Sequence, residues 1–309
     1  MDGGIGDVVE RTTLLARGYT DKELRGLRRD GVLSSVRPGA YIHVGPSKED
    51  PDVGSALRHR ATVLAAARRL APGSVISHLS AAVVHDLPLW LPFAPADRVQ
   101  VTRDRRTGAR RSPYLDLHSA ALHPDEVIGV DGLLVTSVAR TVVDLGRSLT
   151  LERALVPADA ALRNRRTTPD ELALAIARGA HRPGNAAARR LVAFADGRAE
   201  SPGESRSRLA IARAGLPDPE LQHEVRSGDR TWRVDFWWDR AGVVGEFDGR
   251  VKYGRLLAPG ADPGEAVFAE KVREDALRAI GLSVVRWTWA DLSDFAPVAA
   301  RLRRALTRP

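Results

Sequence analysis

The chain has 309 residues, with 47 Lys plus Arg against 39 Asp plus Glu and a formal net charge of +8 at pH 7. It contains no cysteine, which excludes disulfides, thiolate zinc sites and cysteine nucleophiles and fits a reducing compartment. No apolar run approaches the roughly 18 residues of a membrane span, and the acidic start MDGGIGDVVE lacks the basic and apolar regions of a signal peptide. The expectation is a cytoplasmic protein with no membrane partner.

The basic excess is uneven. Residues 51–199 carry 21 basic and 14 acidic side chains, whereas residues 200–309 carry 18 and 17. A basic balance predisposes a protein to polyanions. A cation site, by contrast, concentrates acids.

Residues 1–50 read as a small helical unit followed by a hairpin. Thr20 and Glu23 have the spacing of a capping box, in which each side chain satisfies the other residue's backbone N–H at a helix start. This helix runs to about Asp30, and Gly31 ends it. Leu24 and Leu27 share one face, while Lys22, Arg25 and Arg29 cluster on the other and Arg28 lies beside them. The run VLSSV, the turn Arg37-Pro38-Gly39 and AYIHV then read as two strands and a turn. Together these elements predict a winged helix-turn-helix, with Lys22, Arg25, Arg28, Arg29 and Arg37 facing DNA. A small packing unit with a solvated basic face is the competing reading.

Residues 51–150 read as a mixed α/β unit. Helices are predicted over about 54–70 and over SHLSAAVVHDLP, where Pro88 acts as a stop. VQVTR and YLDLHS alternate like strands. Between them, Arg103, Arg105, Arg106, Arg110 and Arg111 form either a solvated loop or one that touches phosphates. His78 and His85 lie seven apart. With no third ligand suggested, they read as structural histidines ahead of a metal pair. Residues 151–199 read as a helical linker rich in Ala and Arg, broken at Pro169 and at His181–Gly184. DGRAESPG is the best domain boundary.

From Ser201 the chain reads helix, three strands, helix, strand. Ser201 is the N-cap and Pro202 the first helical residue. LQHEVR, TWRVDFWW and AGVVGEFDG are the three strands. AVFAEKVREDALRAIG is an amphipathic helix, and LSVVRWTW is the last strand. Alternation along a strand puts Glu246 and Asp248 on one face. A hairpin at Asp239–Gly242 brings Asp235 beside Glu246, and Glu204 opens a helix that can pack on the same sheet. Such carboxylates repel one another unless a cation joins them, and an all-oxygen set suits Mg²⁺ or Mn²⁺. The chain has four lysines, Lys22, Lys48, Lys252 and Lys271, and two of these flank the acidic cluster. Plainer readings remain open: Glu204 as a cap partner, Asp235 paired with Arg233 or with an arginine on another strand, Asp248 shaping a turn, and Lys271 with Asp275 as a surface pair.

On these residues, 200–309 resembles the PD-(D/E)XK nuclease superfamily, closest to the bacterial domain family related to very-short-patch-repair endonucleases. The matching positions are Glu204, Val234-Asp235, Glu246-Phe-Asp248-Gly249, and the Glu270–Asp275 helix followed by Gly281 and Val284–Trp287. The superfamily's usual Lys is Asp248 here, and Lys252 or Lys271 is the candidate replacement. Residues 8–150 resemble AbiEi-type antitoxins and regulators of type IV toxin–antitoxin systems. That match is carried by Gly31-Val-Leu33, Arg37–Tyr41, Ser77–Ala82, Thr136-Ser137, Ala139–Thr141 and Asp144-Leu145.

The expected fold is therefore α/β multidomain: a winged helix-turn-helix (1–50), an AbiEi-like α/β domain (51–150), a helical linker (151–199) and an endonuclease-like αβββαβ core (200–309). The expected function is a Mg²⁺- or Mn²⁺-dependent DNA endonuclease. Asp235, Glu246, Asp248 and Glu204 are its metal ligands, and Lys252 or Lys271 stabilises the phosphate or orients water. The alternative is a DNA-binding regulator or antitoxin with an inactive nuclease-like domain. A toxin partner or a second copy of the chain would then join DNA as partner. A role without nucleic acid is the third reading. No P-loop, GxSxG or HExxH pattern is present, which argues against an NTPase, an α/β-hydrolase and a zincin.

Overall fold

The computed structural model describes residues 8–43, 51–67, 69–90, 98–105, 107–249 and 272–307. The chain is a mixed α/β protein that divides into two compact units, Met1–Phe194 and Ala195–Pro309. The segments expected at 1–50 and 51–150, and nearly all of 151–199, fall within the first unit. Lys252, Lys271 and Arg106, and the side chain of Arg37, lie outside the described residues.

The first unit opens with β1 (Val8–Glu10), α1 (Arg11–Ala16), α2 (Asp21–Arg29), β2 (Leu33–Arg37) and β3 (Ala40–His43). The capping box at Thr20 is complete. The Thr20 N–H donates to Glu23 Oε2 at 2.7 Å, and the Glu23 N–H donates to Thr20 Oγ1 at 3.3 Å. β3 pairs antiparallel with both β1 and β2, so the strand order is β1-β3-β2. Leu14, Leu24, Leu33 and Tyr41 bury the apolar faces of both helices against this sheet.

Next come α3 (Pro51–Ala67), β4 (Ser74–Ile76), α4 (His78–Val84), β5 (Val99–Arg103), β6 (Arg110–Arg111), β7 (Leu115–Ser119), β8 (Val127–Val130) and β9 (Leu133–Thr136). They build a six-stranded mixed sheet, ordered β6-β7-β5-β4-β9-β8. Val63 of α3 and Ala81 and Val84 of α4 pack on Ile76, Val99, Val101 and Val135. The β8–β9 hairpin has no counterpart among the sequence expectations. Its signal is Asp131-Gly132 between apolar runs. Both residues hold positive φ, 49° and 75°, as the tight hairpin turn requires.

Helices α5 (Val138–Ser148), α6 (Leu151–Arg163), α7 (Pro169–Arg178) and α8 (Asn185–Phe194) complete the unit, with α6, α7 and α8 all packed on α5. At their centre Arg140 is 1% exposed. Its guanidinium donates to Asp144 at 2.8 Å and to Glu126 at 3.0 Å. Arg147 adds a bond to Asp144 at 2.8 Å and one to Asn185 at 2.9 Å.

The second unit runs α9 (Pro202–Arg213), β10 (Glu220–Ser227), β11 (Arg230–Trp238), β12 (Val243–Asp248), a helix α10 described over 272–279, β13 (Ser283–Thr288) and α11 (Ala296–Leu306). β10, β11 and β12 are antiparallel neighbours, and β13 joins β12 in parallel. One sheet face carries Phe236, Trp238, Val243, Val285 and Trp287 against Ile211 of α9 and Val298, Ala299 and Leu302 of α11. On the other, Trp237 and Val244 pack against Leu277 of α10. Burial of these aromatic rings stabilises the unit at about 25 cal/mol per Å² of apolar surface removed from water. No helix among the described residues is long and apolar enough to cross a membrane.

Candidate functional site

The acidic residues meet at one end of the second sheet. The β11–β12 register pairs Phe236 with Gly245, so one step further along Asp235 and Glu246 stand side by side on the face that α10 covers. Gly203 brings the first turn of α9 onto the same strand end. A Cβ at that position would overlap the Phe247 ring. With only hydrogen there, the helix start reaches the strand and presents Glu204. Asp235, Glu246, Phe247, Asp248, Gly249, Arg273 and Arg286 line a pocket of about 200 Å³.

Each carboxylate has fixed partners. Ser201 caps α9 by accepting the Glu204 N–H at 3.2 Å. The Glu204 side chain does not return to the Ser201 backbone, as a capping box would require. Instead it accepts from the Glu200 N–H at 2.7 Å, the Ser201 hydroxyl at 2.8 Å and the Gln222 amide at 2.9 Å. The same Gln222 nitrogen lies 3.5 Å from Asp235 Oδ1. Asp235 Oδ2 accepts the Phe247 N–H at 2.9 Å. Among the described contacts Arg233 pairs with Glu200 at 2.8 Å, and the arginine whose charge acts on Asp235 is Arg273 of α10. Glu246 is 7% exposed and receives a two-pronged bond from Arg273, at 2.9 Å to Oε2 and 2.7 Å to Oε1.

The electrostatics follow from burial. Burial first, then the charge of Asp235, raises Glu204 above the usual carboxylate range. Burial raises Asp235 although the Phe247 N–H and Arg273 oppose it. Burial also pushes Glu246 up to about 7, with Arg273 pulling down and Asp235 pushing further up. Three neighbouring carboxylates are thus all raised above their ordinary values, which marks a perturbed site. The donor set is all oxygen and fits a hard divalent ion in kind. Among the described residues, however, no group of three or more His, Asp or Glu side chains is placed to hold a metal.

Arg273 and Gln222 are functional candidates that the sequence expectations omit. Gln222 holds φ +55° while its neighbours keep an unbroken pairing, Leu221 with Phe236 and His223 with Val234. A left-handed residue inside a strand is strained. Here it sits opposite Asp235, where its amide spans two carboxylates. Arg273 was hidden among the alternating charges of KVRED, where nothing separates a buried guanidinium from a surface one.

The other candidates are dispersed. Lys22, Arg25, Arg28 and Arg29 are all exposed on α2, and Arg29 approaches Asp30 at 3.4 Å. Arg103 donates to Ser74, and Arg111 pairs with Asp116 at 3.0 Å. Arg105 and Arg110 are exposed. His78 stacks on His118 with ring centroids 3.8 Å apart, and a His85 ring nitrogen bonds the Thr136 carbonyl at 2.7 Å. Burial lowers the pKa of both His78 and His85, which accords with neutral structural rings.

No protein-family model matches the chain. It is 38% identical over 181 residues to uncharacterized proteins of two Mycobacterium tuberculosis strains, a match covering 58% of this chain and 64% of each relative. The crystal structure of the RV2827C protein from Mycobacterium tuberculosis aligns with 71% of this chain and 83% of that one, at 16% identity and a TM-score of 0.36.

Proposed function

We propose that the chain is a divalent-metal-dependent DNA endonuclease of the PD-(D/E)XK kind, guided to DNA by an N-terminal winged helix. One observation carries the reading. Glu204, Asp235 and Glu246 come from three different elements, meet at one strand end, and are all raised by burial. A fold does not gather buried like charges for stability, and Asp235 and Glu246 line the pocket while Glu204 stands behind Asp235, joined to it through Gln222. The order helix, three strands, helix, strand in the second unit supports the nuclease core. The exposed basic face of α2 beside the β2–β3 hairpin supports the winged helix.

Asp235 and Glu246, with Asp248 and Glu204 beside them, would hold Mg²⁺ or Mn²⁺, which would supply charge stabilisation for the phosphate and a more acidic water. Gln222 keeps Glu204 and Asp235 facing each other. The Phe247 N–H fixes the Asp235 rotamer. Lys252 or Lys271 is proposed to meet the phosphate, since the superfamily's lysine position holds Asp248.

The second reading is a DNA-binding regulator of the AbiEi type, with a toxin or a second copy as partner and an inactive nuclease-like unit. It is favoured by Asp248 at that position and by Arg273 on both oxygens of Glu246. Supercoiled-plasmid cleavage with Mg²⁺ or Mn²⁺ separates the two. Nicking by the wild type that disappears in Glu246→Gln, with DNA binding retained, supports the endonuclease. Absence of metal-dependent nicking by the wild type, together with DNA binding that Arg25→Ala and Arg29→Ala remove, supports the regulator.

A further inference from the structure

We propose that Arg273 is a built-in counter-ion that a divalent cation must displace from Glu246. The proposal rests on the metal-dependent reading above and names how that site is held before metal arrives.

The geometry carries it. A carboxylate offers a metal and a guanidinium the same inward lone pairs, and Arg273 occupies both oxygens of Glu246 at 2.7 and 2.9 Å. Such two-pronged, charge-assisted bonds are the strong class. Glu246 is buried and lines the same pocket as Asp235 and Arg273. A cation held by Asp235 and Glu246 would therefore compete with the guanidinium for the oxygens of Glu246.

The neighbouring contacts show how Arg273 could yield. It also donates to the Arg233 carbonyl at 2.6 Å, a tether to β11 that does not involve Glu246. The next residue, Glu274, is not a ready second seat. It pairs with Arg278 and lies 3.5 Å from Arg286. Displaced from Glu246, the guanidinium stays tethered at the pocket rim.

The test is Mn²⁺ binding to the full chain, followed by electron paramagnetic resonance at constant pH and ionic strength. Arg273→Ala should bind Mn²⁺ about tenfold to a hundredfold more tightly than the wild type. Arg273→Lys keeps the charge without the fork and should fall between. Adding Glu246→Gln should erase the gain. Equal or weaker binding by a folded Arg273→Ala overturns the proposal and makes Arg273 a residue that orients Glu246 for metal. If Arg273→Ala does not fold, Arg273→Lys and Arg273→Gln carry the same comparison. Absence of Mn²⁺ binding in the wild type and in every Arg273 variant overturns both the proposal and the nuclease reading. Metal-dependent nicking with unchanged Mn²⁺ affinity overturns the proposal alone.

Discussion

Both units bury charge, and they do so in opposite ways. In the first, Arg140 and Arg147 face Glu126 and Asp144, a matched set of two cations and two anions joined at 2.8–3.0 Å. Against the upward push of burial, the bonded guanidinium groups of Arg140 and Arg147 help hold Asp144 below the usual carboxylate range. In the second, Glu204, Asp235 and Glu246 are all raised, and of the three only Glu246 bonds a guanidinium, that of Arg273, among the described contacts. A balanced network fixes the packing of helices. An unbalanced one stores a demand for positive charge, and the demand is what makes the second cluster a candidate for chemistry. Burial alone does not distinguish the two.

The comparison can be broken at several points. The largest effect belongs to the balanced network. Asp144→Asn leaves two buried guanidinium groups short of a charge and should cost the first unit about 3–5 kcal/mol, read by denaturant unfolding. A cost within 0.5 kcal/mol would show that the network is not the structural element described here.

A pH effect comes next. Burial pushes the folded-state pKa of Glu246 up to about 7, above its ordinary value, even with Arg273 bonded to it. Its contribution to stability is complete below the unfolded pKa and is lost as pH rises through the folded one. Metal-free wild type should therefore lose roughly 3 kcal/mol between pH 5 and pH 8.5 relative to Glu246→Gln. Parallel pH profiles for the two proteins would remove Glu246 from the account.

Smaller still, Asp235→Asn at pH 8 removes one of the crowded charges and keeps an acceptor for the Phe247 N–H. It should raise stability by about 1 kcal/mol without metal and abolish metal-dependent nicking. The smallest stability effect is on α2. Changing Lys22, Arg25 and Arg29 together to Ala should alter stability by less than about 0.5 kcal/mol. In a salt titration of DNA affinity, the same change should lower the slope by about one for each lost phosphate contact.

What the sequence discloses depends on the range of the interaction. The α2 capping box, the basic face of that helix and the strand runs around Asp235 and Glu246 are local patterns, and the structure places each where its periodicity points. The pairing of Asp235 with Glu246 was also within reach, because a hairpin at Asp239–Gly242 sets the register. Glu204 was legible as a helix-start residue, but the direction of its carboxylate was not. That direction depends on Gln222, 18 positions away, and on a backbone angle no periodicity encodes. Arg273 depends on tertiary contact in the same way. The short strands β4, β6, β8 and β9 escaped for a different reason. Runs of two to four residues are too brief to alternate visibly, and the sheet around them supplies what propensity does not.

The contact between Gly203 and Phe247 has a consequence for how this site can change over time. The two positions are a joined pair, since the ring fills the volume a larger residue at 203 would need. Drift at one is tolerable only with a compensating change at the other. Relatives that keep the Glu204 geometry should either retain glycine with an aromatic partner or trade both for a bulkier and a smaller side chain together. Covariation of these two columns, gathered across future homologues, is a signature of the site that does not depend on its acidic residues at all.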